Sequence, residues 1–166
     1  NLTNNQPVAA RHDMQLSELL TSSRTLCHVD VVSKKRALEL ASQTIAEQLD
    51  GLAAEDIFSG LINRERLGST GIGEGVAIPH CRLSGVTTAV GLLMTLSTPI
   101  DFDAIDNRPV DLICFLLVPE DGAEEHLQTL AGLAELFNDS GTRESLRSCE
   151  DSPSLLDRVQ TLCEGV

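Results

Sequence analysis

The sequence predicts an α/β fold with helices on both sides of a central sheet. Helical and strand periodicities alternate along its 166 residues with no internal repeat. Its longest apolar runs are short and bounded by turn residues, as strands buried on both faces should be, and amphipathic segments separate them.

Residues 1–13 (NLTNNQPVAARHD) are polar and are expected to form a flexible N-terminal segment ahead of one domain over residues 14–166. Met14, Leu16, Leu19 and Leu20 suggest a short helix, and LCHVDVV (residues 26–32) a short strand. Ser33 is placed to cap a helix from Lys34 to about Leu49, with Ala37, Leu38, Ala41, Ile45 and Leu49 on one face and Gly51 ending it. A second helix, about Ala53 to Leu67, is expected to bury Ile57, Phe58, Leu61 and Ile62 and to stop at Gly68. GVAIP (75–79), TTAVGLLMTL (87–96) and DLICFLLVP (111–119) read as buried strands, the last two joined by DFDAIDNRP. Asp121 and Glu124 form a D-x-x-E variant of the capping box, opening a helix that turns Leu127, Leu130, Leu133, Ala134 and Phe137 inward. Two shorter helices, TRESLRS and SPSLLDRVQTLC, close the chain.

Composition narrows the function. The chain has 25 acidic against 12 basic residues, a net charge of −13, which opposes nucleic acid and anionic membrane surfaces. With no Trp, no Tyr and four Phe, base stacking has little to work with. The cysteines Cys27, Cys81, Cys114, Cys149 and Cys163 are odd in number and contain no C-x-x-C pair, so a disulfide framework or zinc site is not suggested and a reducing compartment is. The longest uncharged run, residues 83–100, is broken by Ser, Thr, Gly and Pro, so no membrane insertion is expected and a cytoplasmic location is.

Residues 68–83, GSTGIGEGVAIPHCRL, concentrate four glycines, a proline and a histidine. They lack the lysine of a Walker A loop, and Val76 stands where the last glycine of a dinucleotide fingerprint belongs. Ser69, Thr70 and Gly71 offer hydroxyls and backbone N–H groups that could form an anion nest near His80, and Pro79 stiffens the backbone before it. From the residues alone, a surface hairpin with an incidental histidine and a positioned imidazole beside an anion site both remain open.

The same stretch resembles the active-site segment of the A components (enzyme IIA) of the bacterial phosphoenolpyruvate-dependent phosphotransferase system, fructose/mannitol class. RERLGSTGIG and FDAIDNRPVDLICFLLVP are most similar to the nitrogen-regulatory branch, IIA-Ntr, and the resemblance runs from about Leu16 to the last helix. It implies a mixed β-sheet flanked by helices, with His80 as the residue phosphorylated by an HPr- or NPr-like carrier protein. It also implies regulatory protein targets, transporters or sensor kinases among them, and no metal or cofactor. The alternative is a sugar-specific IIA that hands phosphate to a IIB domain, and a third reading is an interaction module that no longer turns phosphate over.

By position in the motif, Arg64 matches the arginine beside the phosphorylated histidine and His126 the second active-site histidine. The plainer alternatives are a helix C-terminal cation for Arg64, as for Arg66, and a partly exposed residue in a first helical turn for His126. Phosphoryl transfer needs positioning and charge compensation. The resemblance therefore predicts a neutral His80 reacting at Nε2, its other nitrogen held by a backbone carbonyl or similar acceptor. Glu74, Glu124 and Glu125 are candidates for meeting a basic carrier, or simply solvated charges.

Overall fold

The computed structural model describes residues 15–164; the N-terminal segment of residues 1–13, and Met14 with it, lies outside them. The chain runs α1 (Leu16–Leu19), a short turn of 3-10 helix (Ser22–Arg24), β1 (Thr25–Val29), α2 (Lys34–Gln48), α3 (Ala54–Leu67), β2 (Gly71–Gly73), β3 (Val76–Ala77) and β4 (His80–Leu83). Then follow β5 (Val90–Ile100), β6 (Val110–Pro119), α4 (Ala123–Asn138), α5 (Ser140–Arg147) and α6 (Ser152–Glu164).

The strands form one mixed sheet in the order β1-β5-β6-β3-β2, with β4 also paired to β6. β5 and β6 are antiparallel, whereas β1 runs parallel to β5 and both β3 and β4 run parallel to β6. β3 and β4 keep one register against β6: Ala77 pairs with Ile113 and His80 with Leu116. They are two pieces of one extended run interrupted at Ile78 and Pro79, because proline has no N–H to give the ladder. The strand expected over residues 75–79 is thus interrupted, and His80 begins a further segment.

Side-chain alternation sorts the central strands between two cores. Ile113, Phe115 and Leu117 of β6 pack with Ala37, Leu38, Ala41 and Ile45 of α2 and Ile57 and Leu61 of α3. Leu112, Cys114, Leu116 and Val118 face the other way, toward Leu133 and Phe137 of α4, Leu146 of α5 and Leu155 and Val159 of α6. Both faces are covered, which is why β6 is apolar almost throughout. The Ser33 cap forms as expected, its hydroxyl accepting from the Arg36 N–H at 3.2 Å. Phe58 and Ile62 are only half-buried against the first core.

The start of α4 departs from expectation in two ways. The D-x-x-E box does not form: Gly122 is the N-cap, in the left-handed region at φ +73°, and no side chain caps the helix. A glycine there lets the chain turn sharply into the helix, which leaves Asp121 ahead of the cap and Glu124 a residue short of the box position. The buried stripe runs through His126, Thr129, Leu133 and Phe137, while Leu127 is 64% exposed. The first turn of α4 overhangs a cleft, so its inward face there looks onto that cleft instead of the core.

Candidate functional site

The site is built on the β3–β4 interruption. The Ile78 N–H donates to the Thr70 carbonyl at 3.0 Å, and the Leu116 N–H donates to the Pro79 carbonyl at 2.9 Å, so the peptide before His80 is held from both sides. The His80 Nδ1 lies 2.8 Å from the Ile78 carbonyl oxygen. A carbonyl can only accept, so Nδ1 carries the proton and Nε2 keeps its lone pair. Burial pushes the His80 pKa below the ordinary imidazole range; the Ile78 bond opposes this, Arg64 adds to it, and Glu65 opposes it more weakly. The ring is therefore neutral and nucleophilic at neutral pH.

Helix α3 approaches β4 closely because residue 60 is glycine: a Cβ there would lie 2.8 Å from the Cys81 Sγ. One turn later on the same face, Arg64 reaches the cleft. Its Nη1 donates to the Gly68 carbonyl at 2.8 Å, so it also closes the end of α3, and both readings of this residue hold together. Among the described residues Arg66 bonds only Asn63, at 3.1 Å. From the opposite wall α4 contributes His126, 8% exposed, whose buried Nδ1 has no hydrogen-bond partner among the described residues.

Arg64, His80 and His126 line one cleft of about 450 Å³ together with Arg82. Leu116, Val118 and Leu130 form apolar walls, and Leu67 (84% exposed) and Leu127 stand at the rim. Among the described residues no carboxylate lines the cleft, although the chain as a whole is strongly acidic. Among the described residues neither Arg64 nor Arg82 has an ion-pair partner. Two unpaired guanidiniums and two imidazoles in a half-enclosed, partly apolar space have the chemistry to take up a phosphate-like anion.

Ser69, Thr70 and Gly71 do not line this cleft, and their two hydroxyls and the Thr70 and Gly71 N–H groups are already engaged. The Ser69 hydroxyl donates to the Phe102 carbonyl at 2.7 Å and accepts from the Gly71 N–H at 3.0 Å. The Thr70 N–H and hydroxyl both donate to the Glu65 carboxylate. The glycine loop braces the site without forming the anion nest. Glu74 is also elsewhere, paired with Arg108 at 3.2 Å and Arg143 at 3.3 Å, whereas Glu124 and Glu125 are exposed in the first turn of α4 beside His126. His28 is exposed in β1, and His12 lies outside the described residues.

Gly60 and Arg82 were missed in the sequence. Arg82 had a signal: it stands two residues after His80, and in a strand that spacing puts two side chains on one face. Gly60 had none, because only the packing of α3 on β4 shows that the position must be small. Cys81 lies at the cleft, but burial pushes its thiol up to about 12, as it does for Cys114. Among the described residues no cluster of three or more His, Cys, Asp or Glu side chains could hold a metal ion, and no helix is long and apolar enough to cross a membrane.

This fold is that of the IIA proteins of the phosphotransferase system. The crystal structure of the mannitol IIA protein of Escherichia coli superposes with a TM-score of 0.70 at 17% identity, covering 84% of this chain and 98% of that one, a likeness of fold. The IIA-Ntr crystal structure from Neisseria meningitidis superposes with a TM-score of 0.81 at 40% identity, covering 87% of this chain and 98% of that one. The sequence profile described as "Phosphoenolpyruvate-dependent sugar phosphotransferase system, EIIA 2" matches residues 18–161, and the chain belongs to that family.

Within the family its similarity runs to nitrogen-regulatory members. The nitrogen regulatory protein of Pseudomonas aeruginosa is 43% identical over 152 residues, 92% of this chain and 99% of that protein. The protein of the same name from Escherichia coli is 44% identical over 153 residues, 92% of this chain and 93% of that one. The resemblance read from the glycine loop and from residues 102–119 is borne out at the level of family and branch.

Proposed function

We propose that His80 accepts a phosphoryl group on Nε2 from the phosphohistidine of an HPr- or NPr-like carrier, and that cytoplasmic target proteins read whether the group is present. The observation that carries this reading is the Nδ1–H bond to the Ile78 carbonyl, which frees Nε2 on a ring lining a cleft with two unpaired arginines. In the transfer the P–N bond of the donor breaks as the P–Nε2 bond forms. The donor ring, protonated on its other nitrogen, takes back the electron pair and leaves as neutral imidazole, and the His80 ring becomes cationic with its Nδ1 proton in place, so no proton need move. Arg64 and Arg82 compensate the phosphoryl oxygens, and His126 offers a further donor from the opposite wall. Leu67 and Leu127 provide an apolar rim for the carrier, and Glu124 and Glu125 favour a basic one by raising its encounter rate. Residues 14–166 would act as one unit.

The regulatory part follows from charge. Phosphorylation adds between about one and two negative charges at neutral pH and three acceptor oxygens to an apolar-rimmed cleft. A target packed over that rim must desolvate them, so a tenfold preference between states, about 1.4 kcal/mol, is the expected scale. The names of the nitrogen-regulatory relatives support this output over sugar transport.

Incubation with phosphoenolpyruvate, enzyme I and HPr or NPr, followed by intact-mass measurement and site mapping, should show one acid-labile phosphoryl group on His80. Labelling of His80→Ala at the wild-type rate would overturn the assignment. Pull-downs with free and phosphorylated protein test the output. Equal target recovery, joined with rapid transfer to a sugar-specific IIB domain, would assign the chain to transport.

A further inference from the structure

We propose that Glu65 is a positioning residue for His80, acting through a hydrogen-bonded chain that runs from Glu65 to Thr70, from Thr70 to Ile78 and from Ile78 to the imidazole. The proposal rests on reading His80 as the phosphoryl acceptor.

Glu65 is out of place by local rules. It sits in the last turn of α3, where the helix dipole disfavours a carboxylate, and its side chain is only 2% exposed. A buried charge in such a position is held by its partners and not by the helix. Those partners are Lys34, whose Nζ lies 3.0 Å from Oε1, and Thr70, whose N–H donates at 3.1 Å to Oε2 and whose hydroxyl donates to the same oxygen. Lys34 is braced in turn by Asp103 at 3.3 Å and by the Phe102 ring, 5.0 Å from its centroid.

Fixing Thr70 fixes the imidazole. The Thr70 carbonyl takes the Ile78 N–H, and the Ile78 carbonyl takes the His80 Nδ1–H. On its other side this backbone is tied to β6 through the Pro79 carbonyl, an ordinary sheet bond. On the Thr70 side it depends on a loop that has left α3 and not yet entered β2, and the Glu65 carboxylate anchors that loop. If Thr70 drifts, the Ile78 carbonyl drifts with it and Nδ1–H loses its acceptor. The free imidazole then populates the other tautomer, which puts the proton on Nε2 and removes the lone pair that must attack phosphorus.

The test is the tautomer of His80 in the unphosphorylated protein, read by two-bond ¹H–¹⁵N spectra of the imidazole, which needs no phosphoryl donor. The wild type should show the Nδ1-protonated form. Glu65→Gln and Thr70→Val should shift the ring toward a mixture and slow phosphoryl acceptance per folded molecule by about tenfold. Thr70→Ser, which keeps the hydroxyl, should return both readings toward the wild type.

Thr70→Val keeps the backbone N–H and the branched shape, so it decides the question if Glu65→Gln fails to fold. A folded Thr70→Val protein with the wild-type tautomer and rate overturns the proposal, as does a wild-type ring protonated at Nε2. Failure of the wild type to take phosphate from HPr or NPr would instead defeat the acceptor reading while the tautomer measurement stood.

Discussion

Arginine occupies two regions of this molecule in opposite states. At the β2–β3 hairpin, Arg108 and Arg143 hold the Glu74 carboxylate; Arg147 bonds Asp111 at 2.9 Å and the Glu74 carbonyl at 2.7 Å. Arg143, nearly buried, also donates to the Phe137 and Asn138 carbonyls at 3.0 and 2.8 Å, joining the end of α4 to the hairpin. There the donors are spent on the protein itself. In the cleft, Arg64 gives one bond to the Gly68 carbonyl, Arg82 gives none among the described residues, and neither meets a carboxylate. Paired guanidiniums staple elements together, whereas unpaired ones beside a neutral, oriented imidazole keep their donors for an incoming anion. In a chain with about twice as many acidic as basic residues, that segregation separates the candidate anion site from a structural network.

The contrast can be broken by substitution. His80→Ala should abolish phosphoryl acceptance altogether, read by intact mass, while the melting temperature changes little. Arg64→Ala should slow transfer by about 10²- to 10³-fold, the scale of losing one preorganised donor to a developing charge. Its loss of stability should stay near 1 kcal/mol or below, the worth of a helix-end cation. If denaturant unfolding shows the larger effect while the rate per folded molecule holds, Arg64 belongs with the staples.

Arg82→Ala should lower the rate by about tenfold and leave the melting temperature unchanged, because the side chain has no internal bond to lose. Arg143→Ala should do the reverse, costing about 1–3 kcal/mol in denaturant unfolding by stranding two carbonyls and taking one of two guanidiniums from the Glu74 carboxylate, with the transfer rate per folded molecule unaltered. A slowed transfer in folded Arg143→Ala protein would erase the distinction between the two regions.

The smallest effect is a pH dependence that sharpens the same contrast. Because burial lowers the His80 pKa, the acceptance rate should stay level as pH falls through about 6.5 and decline only below that. The linkage has a definite sign. Between the folded pKa and the unfolded value the unfolded chain binds more protons, so this residue's share of stability falls as pH drops through that window and levels off beneath it. An acceptance profile centred on or above the ordinary imidazole value would mean that the ring is solvated and the cleft more open than described.

What was legible from sequence was local. The capped, amphipathic α2 and the apolar β5 and β6 follow from periodicity, which a single segment carries by itself. His80 stood out because glycine and proline crowd around it, and the resemblance assigned its role together with those of Arg64 and His126. The family and its nitrogen-regulatory branch were likewise readable from contiguous motifs.

What the tertiary structure decided was which groups are already spent. Ser69, Thr70 and Gly71 look like free donors until the fold brings Glu65 and Phe102 against them, and Glu74 looks like a free carboxylate until Arg108 and Arg143 arrive from distant segments. Gly122, and not the Asp121 and Glu124 pair, opens α4, which turns Leu127 out to the rim and His126 in. Arg82 and Gly60 gain meaning only once β4 lies beside β6 and α3 lies on β4. Propensity and patterning act over a few residues and can be read along the chain, but the satisfaction of a charge or a hydrogen bond is a property of pairs. Those pairs are set by strand order and helix packing, which no single stretch of sequence contains.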